Sequence, residues 1–271
     1  MGEADAESNV DRKPATRWFD RHPEQPLARV SDSATRGDTL FQVVAVLVLA
    51  LLGQILLVSI GVGLLSGLNV TEDGSPVVYY GTQSALGLFA FCLVGVAYLL
   101  VREDETLVGV RWPTRWDLGM IVGGFLLLAG TLIGAETLLG ALGFESADNV
   151  VLERGQENPE LFLVLIPIQF LLTGPGEELL FRGVIQGLLR RAYGVVPGIL
   201  AASTLFALFH IPSLSGNSLL PVLSVLFLSG VVLGALYEYT RTLLVPMVAH
   251  ALWNALVFGT EYAGAVGSVF G

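Results

Sequence analysis

An all-α bundle of about seven transmembrane helices is the fold class this sequence predicts, on three observations. Hydrophobic residues make up 53% of the 271 and charged residues only 14%. Several apolar runs exceed about 18 residues, the length a helix needs to cross a bilayer. The basic residues between those runs alternate in density from one loop to the next, as they do in a chain threading back and forth through a membrane. A membrane β-barrel would show short segments of alternating polarity instead.

The elements follow in order. Residues 1–38 are polar and proline-bearing, with mixed charge and no apolar run, which predicts a disordered cytoplasmic tail. A signal peptide would place an apolar region within roughly the first 15–30 residues, so the first span is expected to be an uncleaved anchor. Spans are expected at 39–67, 79–101, 117–142, 160–189, 196–211, 219–238 and 243–260. The tail holds six Lys/Arg; Arg102, Arg111 and Arg115 fill the second loop, Arg190 and Arg191 follow the fourth span, and Arg241 follows the sixth. The 68–78 and 212–218 loops hold none, and 143–159 holds only Arg154. Twelve of the 14 basic residues therefore fall on one side. That predicts a multi-pass protein of the cell membrane with its N-terminus cytoplasmic and its C-terminus outside. An eight-span alternative splits 160–189 at Gly174-Pro175-Gly176 but breaks the alternation. Spans within 39–142 carry little polarity beyond Gln54, Gln83 and Glu136, and read as accessory helices. Residues 160–260 hold every polar cluster and read as the catalytic core. The 32 glycines suit close helix packing in lipid.

Composition also excludes. The net charge is −10, with 13 Arg and one lysine, Lys13. An acidic, Arg-rich, Lys-poor balance suggests a salt-loving source, and nothing in it forms a basic face for nucleic acid. A retinal pump needs a lysine within a span, and Lys13 is in the tail. Cys92, the single cysteine, excludes an intrachain disulfide and a zinc–cysteine site, and reads as packing.

Ionisable groups at bilayer depth are costly and mark function by default. The first cluster is Glu177, Glu178 and Arg182. Glu178 and Arg182 are four apart and share a helix face, so they can pair. Glu177 points about 100° away and stays free for another task. A purely structural clamp would account for Glu178 and Arg182 but not for Glu177. If the helix restarts at Gly174-Pro175-Gly176, both carboxylates sit at an N-terminus, where the dipole favours them; otherwise the glycines serve close helix approach. The second cluster ends at His210, four residues after Phe206. The third is His250 and Asn254, four apart on one face. Asn is a poor zinc ligand and a good hydrogen-bond donor, which suits an oxyanion. At about 1.5 Å per residue, Glu177, His210 and Asn254 lie about 20 Å from the cytoplasmic end and His250 about 14 Å. The polar groups of three helices thus share nearly one level.

Glu-Glu-x-x-x-Arg, Phe-x-x-x-His and His-x-x-x-Asn, in this order on successive spans, resemble the CPBP family of CAAX prenyl endopeptidases and bacteriocin-processing (Abi) proteins. The resemblance covers about residues 160–260, with no departure at the motif positions. It implies an intramembrane endopeptidase in which Glu177 and His210 activate water and His250 and Asn254 stabilise the oxyanion, supported by Glu178, Arg182 and Phe206. The family is often labelled metalloprotease. Glu177, His210 and His250 would give a Glu-plus-two-His Zn2+ set with an open position. A route with no cofactor is favoured, because Asn254 then has a role. The expected partners are membrane lipid and a membrane protein or peptide substrate, lipidated or not. A transporter or proton relay using buried Glu and His is the competing class, as is a silent membrane scaffold. The dissimilar halves of the chain count against the transporter.

Overall fold

The computed structural model describes residues 26–29, 31–143, 148–215 and 219–270. Most of the expected 1–38 tail lies outside the described residues. Its described end corrects the boundary. Helix α1 (Ser33–Gly67) starts a turn and a half before the apolar run, because Asp32 caps it by accepting a 2.9 Å hydrogen bond from Thr35 N. Next come α2 (Pro76–Arg102), α3 (Arg115–Ala141), the short α4 (Val150–Glu157), α5 (Glu160–Tyr193), α6 (Val195–Phe209), α7 (Leu219–Thr240) and α8 (Leu244–Phe270). The protein is an all-α polytopic bundle.

Among the described residues, α1, α2, α3, α5, α7 and α6 with its 3-10 turn to Ser213 are long and apolar enough to cross a membrane. The seventh expected span, 243–260, falls on α8. That helix is 27 residues long but is not among the six, since His250, Asn254 and Glu261 dilute its apolar character. The expected 143–159 loop instead contains α4 and the two-residue strand β1 (Asp148–Asn149), paired antiparallel with β2 (Leu214–Ser215). Asn149 caps α4 by accepting from Val151 N at 2.9 Å.

Helix α5 is the centre of the bundle. Of its apolar window 44% is buried, against 17% for α1 and α3, whose Leu52, Leu56, Leu126 and Leu127 point outward as lipid-facing side chains would. The run neither restarts nor divides at Gly174-Pro175-Gly176, so the eight-span alternative has no break to stand on. It alternates α turns with two π segments, Gln169–Thr173 and Leu179–Ile185. Pro175 removes an N–H and crowds the carbonyl four residues back, and the widened π turn just before it accommodates that crowding. The flanking glycines serve close approach. A Cβ at Gly174 would stand 2.7 Å from the Met247 carbonyl oxygen of α8, and one at Gly176 2.9 Å from that of Leu88 on α2. Both neighbours therefore close directly on the segment that carries the two glutamates.

Candidate active site

The two glutamates part company as helix geometry requires. Glu178 is wholly buried. Its Oε1 lies 3.2 Å from Arg182 Nη1, an ion pair whose angle falls outside hydrogen-bond geometry. The same oxygen accepts a 2.8 Å hydrogen bond from His250 Nδ1, a partner the motif spacing does not announce. Arg182 is held further by the Gly230 carbonyl at 3.5 Å and by the Phe206 ring, 4.3 Å below its guanidinium carbon. An arginine at this depth needs such surroundings, because removing one partner of a buried pair strands the other charge.

Glu177 faces a cavity of about 1450 Å³ instead. It is 7% exposed, and its Oε2 has no hydrogen-bond partner within the protein. His210, His250 and Asn254 line the same cavity, as do Phe206 and Phe181. His210 ends α6, and its Nδ1 is 2.8 Å from the Phe206 carbonyl oxygen. A carbonyl only accepts, so Nδ1 carries the proton and Nε2 keeps the basic lone pair. Phe206 also packs edge-on against Phe181 at 5.2 Å and lies 4.5 Å from the His210 ring, centroid to centroid. Asn254 Nδ2 donates to Gln169 Oε1 at 2.9 Å, and Gln169 Nε2 donates to the Leu165 carbonyl at 3.2 Å. One amide proton of Asn254 remains for another acceptor.

Sequence reasoning passed over Gln169 and Thr173. Both are buried and line the cavity, and Thr173 Oγ1, like Glu177 Oε2, is without a partner in the protein. The signal was present: residues 169, 173 and 177 recur every four positions, one polar stripe on one helix. Gln54 and Gln83, on helices read as accessory, line the cavity too.

Among the described residues no three His, Cys, Asp or Glu side chains gather closely enough to hold a metal ion. Glu177, His210 and His250 share the cavity without forming such a group.

This fold and this set of groups define a class: multi-pass helical membrane proteins with a carboxylate, two imidazoles and an amide around one deep cavity. Residues 159–256 match the family model described as type II CAAX prenyl endopeptidase, Rce1-like, in keeping with the resemblance to the CPBP family. The match spans α5 to the first half of α8 and leaves α1–α4 outside it; a peptidase is the activity it implies. No curated protein and no solved structure matches the chain.

Proposed function

We propose that this protein is an intramembrane endopeptidase that hydrolyses a peptide bond of a membrane-associated protein or peptide, with water activated by Glu177 and His210. The observation that carries the reading is Glu177 itself, a carboxyl more than nine-tenths buried whose Oε2 has no hydrogen-bond partner in the protein and which borders a cavity shared with both histidines. A buried carboxylate unsatisfied by its own protein is costly, and a general base needs such a free oxygen.

In the proposed reaction Glu177 takes a proton from a water molecule that His210 Nε2 helps to orient. The hydroxide attacks the scissile carbonyl, and the C–N bond breaks as the proton passes from Glu177 to the leaving amine. His250 as imidazolium donates through Nε2 to the developing oxyanion. Its Nδ1 donates to the Glu178 carboxylate at 2.8 Å, so the proton given to the oxyanion is the one on Nε2. The second amide proton of Asn254 is the other donor. Glu178 thus serves both Arg182 and His250. The proposed route uses no metal, since Asn254 and His250 supply the oxyanion contact.

The test is turnover of a membrane-anchored peptide by the purified, reconstituted protein. Glu177→Ala and His210→Ala each lower it by about 10²–10⁴-fold, and Asn254→Ala by about 10²–10³-fold, with insertion unchanged. Wild-type turnover by Glu177→Ala would overturn the reading. Stoichiometric zinc on elemental analysis, with activity lost to a chelator and restored by zinc, would overturn the metal-free route alone.

A further inference from the structure

The described arginines gather at one end of the bundle. Arg102, Arg111, Arg115, Arg190, Arg191 and Arg241 lie at one end, where Asp104 and Glu238 hold three of them. Glu72, Asp73, Glu153, Glu157, Glu160 and Glu261 lie at the other. Arg154 is the arginine there, and its guanidinium carbon sits 4.3 Å over the Tyr80 ring. The cavity belongs to this second end. Its rim includes Asn149, Glu153, Gln156, Ser213 and Glu261, and none of its lining residues comes from 98–118, 186–196 or 236–247 at the arginine end. Helix α6 runs from the arginine end toward the other, and its last turn, from Phe206 to His210, lines the cavity. His210, at the end of α6 away from Arg190 and Arg191, stands toward the acidic end.

The rim is negative. Glu153 Oε1 accepts from Ser215 Oγ at 2.6 Å and Glu261 Oε2 from Gln156 Nε2 at 3.2 Å, both neutral donors. Neither carboxylate forms an ion pair among the described residues. Glu157 stands beside Glu261 at the edge of a smaller adjoining recess. Deeper in the same cavity lies Glu177, whose buried Oε2 is unpartnered.

We propose that the substrate enters from the arginine-poor end, which the excess of basic residues at the opposite end makes the non-cytoplasmic face, and that it is a membrane-anchored peptide with basic residues flanking the scissile bond. The inference rests on the peptidase reading and adds the side and the charge of what is cut. Cations are drawn to a carboxylate-lined, low-dielectric mouth and anions are repelled from it.

The experiment uses the full chain, N-terminally tagged, in proteoliposomes and intact cells. A membrane-impermeant maleimide reads the side of Gln156→Cys in a Cys92→Ala background. Single-span reporter peptides carry an Arg-rich or a Glu-rich flank beside the scissile bond. Expected are labelling from the side opposite the tag, cleavage only of reporters whose flank is on that side, and about tenfold faster cleavage of the Arg-rich flank. The preference falls to within about twofold in the Glu153→Gln/Glu261→Gln double variant and shrinks with salt, as exposed charges are screened. Labelling from the tag side, or equal rates for the two flanks, overturns the inference even where cleavage depends on Glu177. Absence of Glu177-dependent cleavage of any reporter sinks the peptidase reading and the substrate class together.

Discussion

Glu177 and Glu178 are adjacent in sequence and opposite in consequence. Glu178 neutralises a buried guanidinium and holds an imidazole. Glu178→Gln takes the ion-pair partner from the buried Arg182 and is expected to cost about 3–5 kcal/mol. Glu177→Gln removes a carboxylate whose Oε2 has no hydrogen-bond partner in the protein, and is expected to leave stability within about 1 kcal/mol while abolishing turnover. Thermal unfolding in detergent, run beside the peptide assay, separates the two. Equal stability of the two variants would remove the division of labour between these residues. Gln169 belongs at the same scale. By accepting from Asn254 Nδ2 at 2.9 Å it fixes the amide plane, which makes it a positioning residue. Gln169→Leu is expected to lower kcat about tenfold with little change in KM, since the contact it orients matters most in the transition state, and Gln169→Glu, which keeps the acceptor, restores part of the rate. A matching loss through KM alone would assign Gln169 to substrate binding instead.

At the scale of elements, α5 is a helix held at its centre by what it lacks. Two glycines let backbones from α2 and α8 approach where a methyl group would collide with carbonyl oxygens at 2.9 and 2.7 Å. Gly174→Ala and Gly176→Ala are each expected to destabilise by about 1–3 kcal/mol, the usual cost of overpacking. Gly130→Ala on α3 meets nothing within 4 Å and is expected to be neutral or to stabilise by up to about 1 kcal/mol. Thermal unfolding of the three variants checks the contrast; similar losses at all three would mean the close approach does not matter. How much of this was legible follows from range. Six of the seven span positions were legible because apolar runs of about twenty residues fit a bilayer-crossing helix. The Glu178–Arg182 pair was legible because its spacing is one helical turn. The π segments were not, since they answer to Pro175 and to neighbours far along the chain. The β1–β2 pair joins strands of two residues each across 65 positions of sequence, too little local pattern to read. The Glu178–His250 bond spans 72 positions and exists only because α8 packs on α5.

The whole molecule is asymmetric along the membrane normal, bound together at the arginine end and hollow at the other. At the bound end Arg190 and Arg241 converge on Glu238, Gln186 donates to the same carboxylate, and Leu243 N donates to the Gly109 carbonyl. The α2–α3 loop is fastened to the end of α5 through Asp104, which takes Arg191 Nη2 at 3.0 Å and Nη1 more closely still. The Arg191 hydrogen bonds hold the Asp104 carboxyl down to about 2. The unfolded carboxyl titrates near about 3.9. A depressed folded value means the stabilisation is fully present above that figure and is lost as pH falls from about 4 toward 2. Both side chains are partly exposed, at 28% and 41%, so solvent screening keeps the effect under about 1 kcal/mol. Unfolding temperature measured against pH for the wild type and for Asp104→Asn checks this. The variant is expected to lie below the wild type by a small constant margin above pH 5, and the two curves are expected to merge by about pH 2. A margin that widened on acidification would mean that Asp104 fastens nothing, and that the loop is held to α5 by the buried Leu107 side chain and the Gly109 backbone alone.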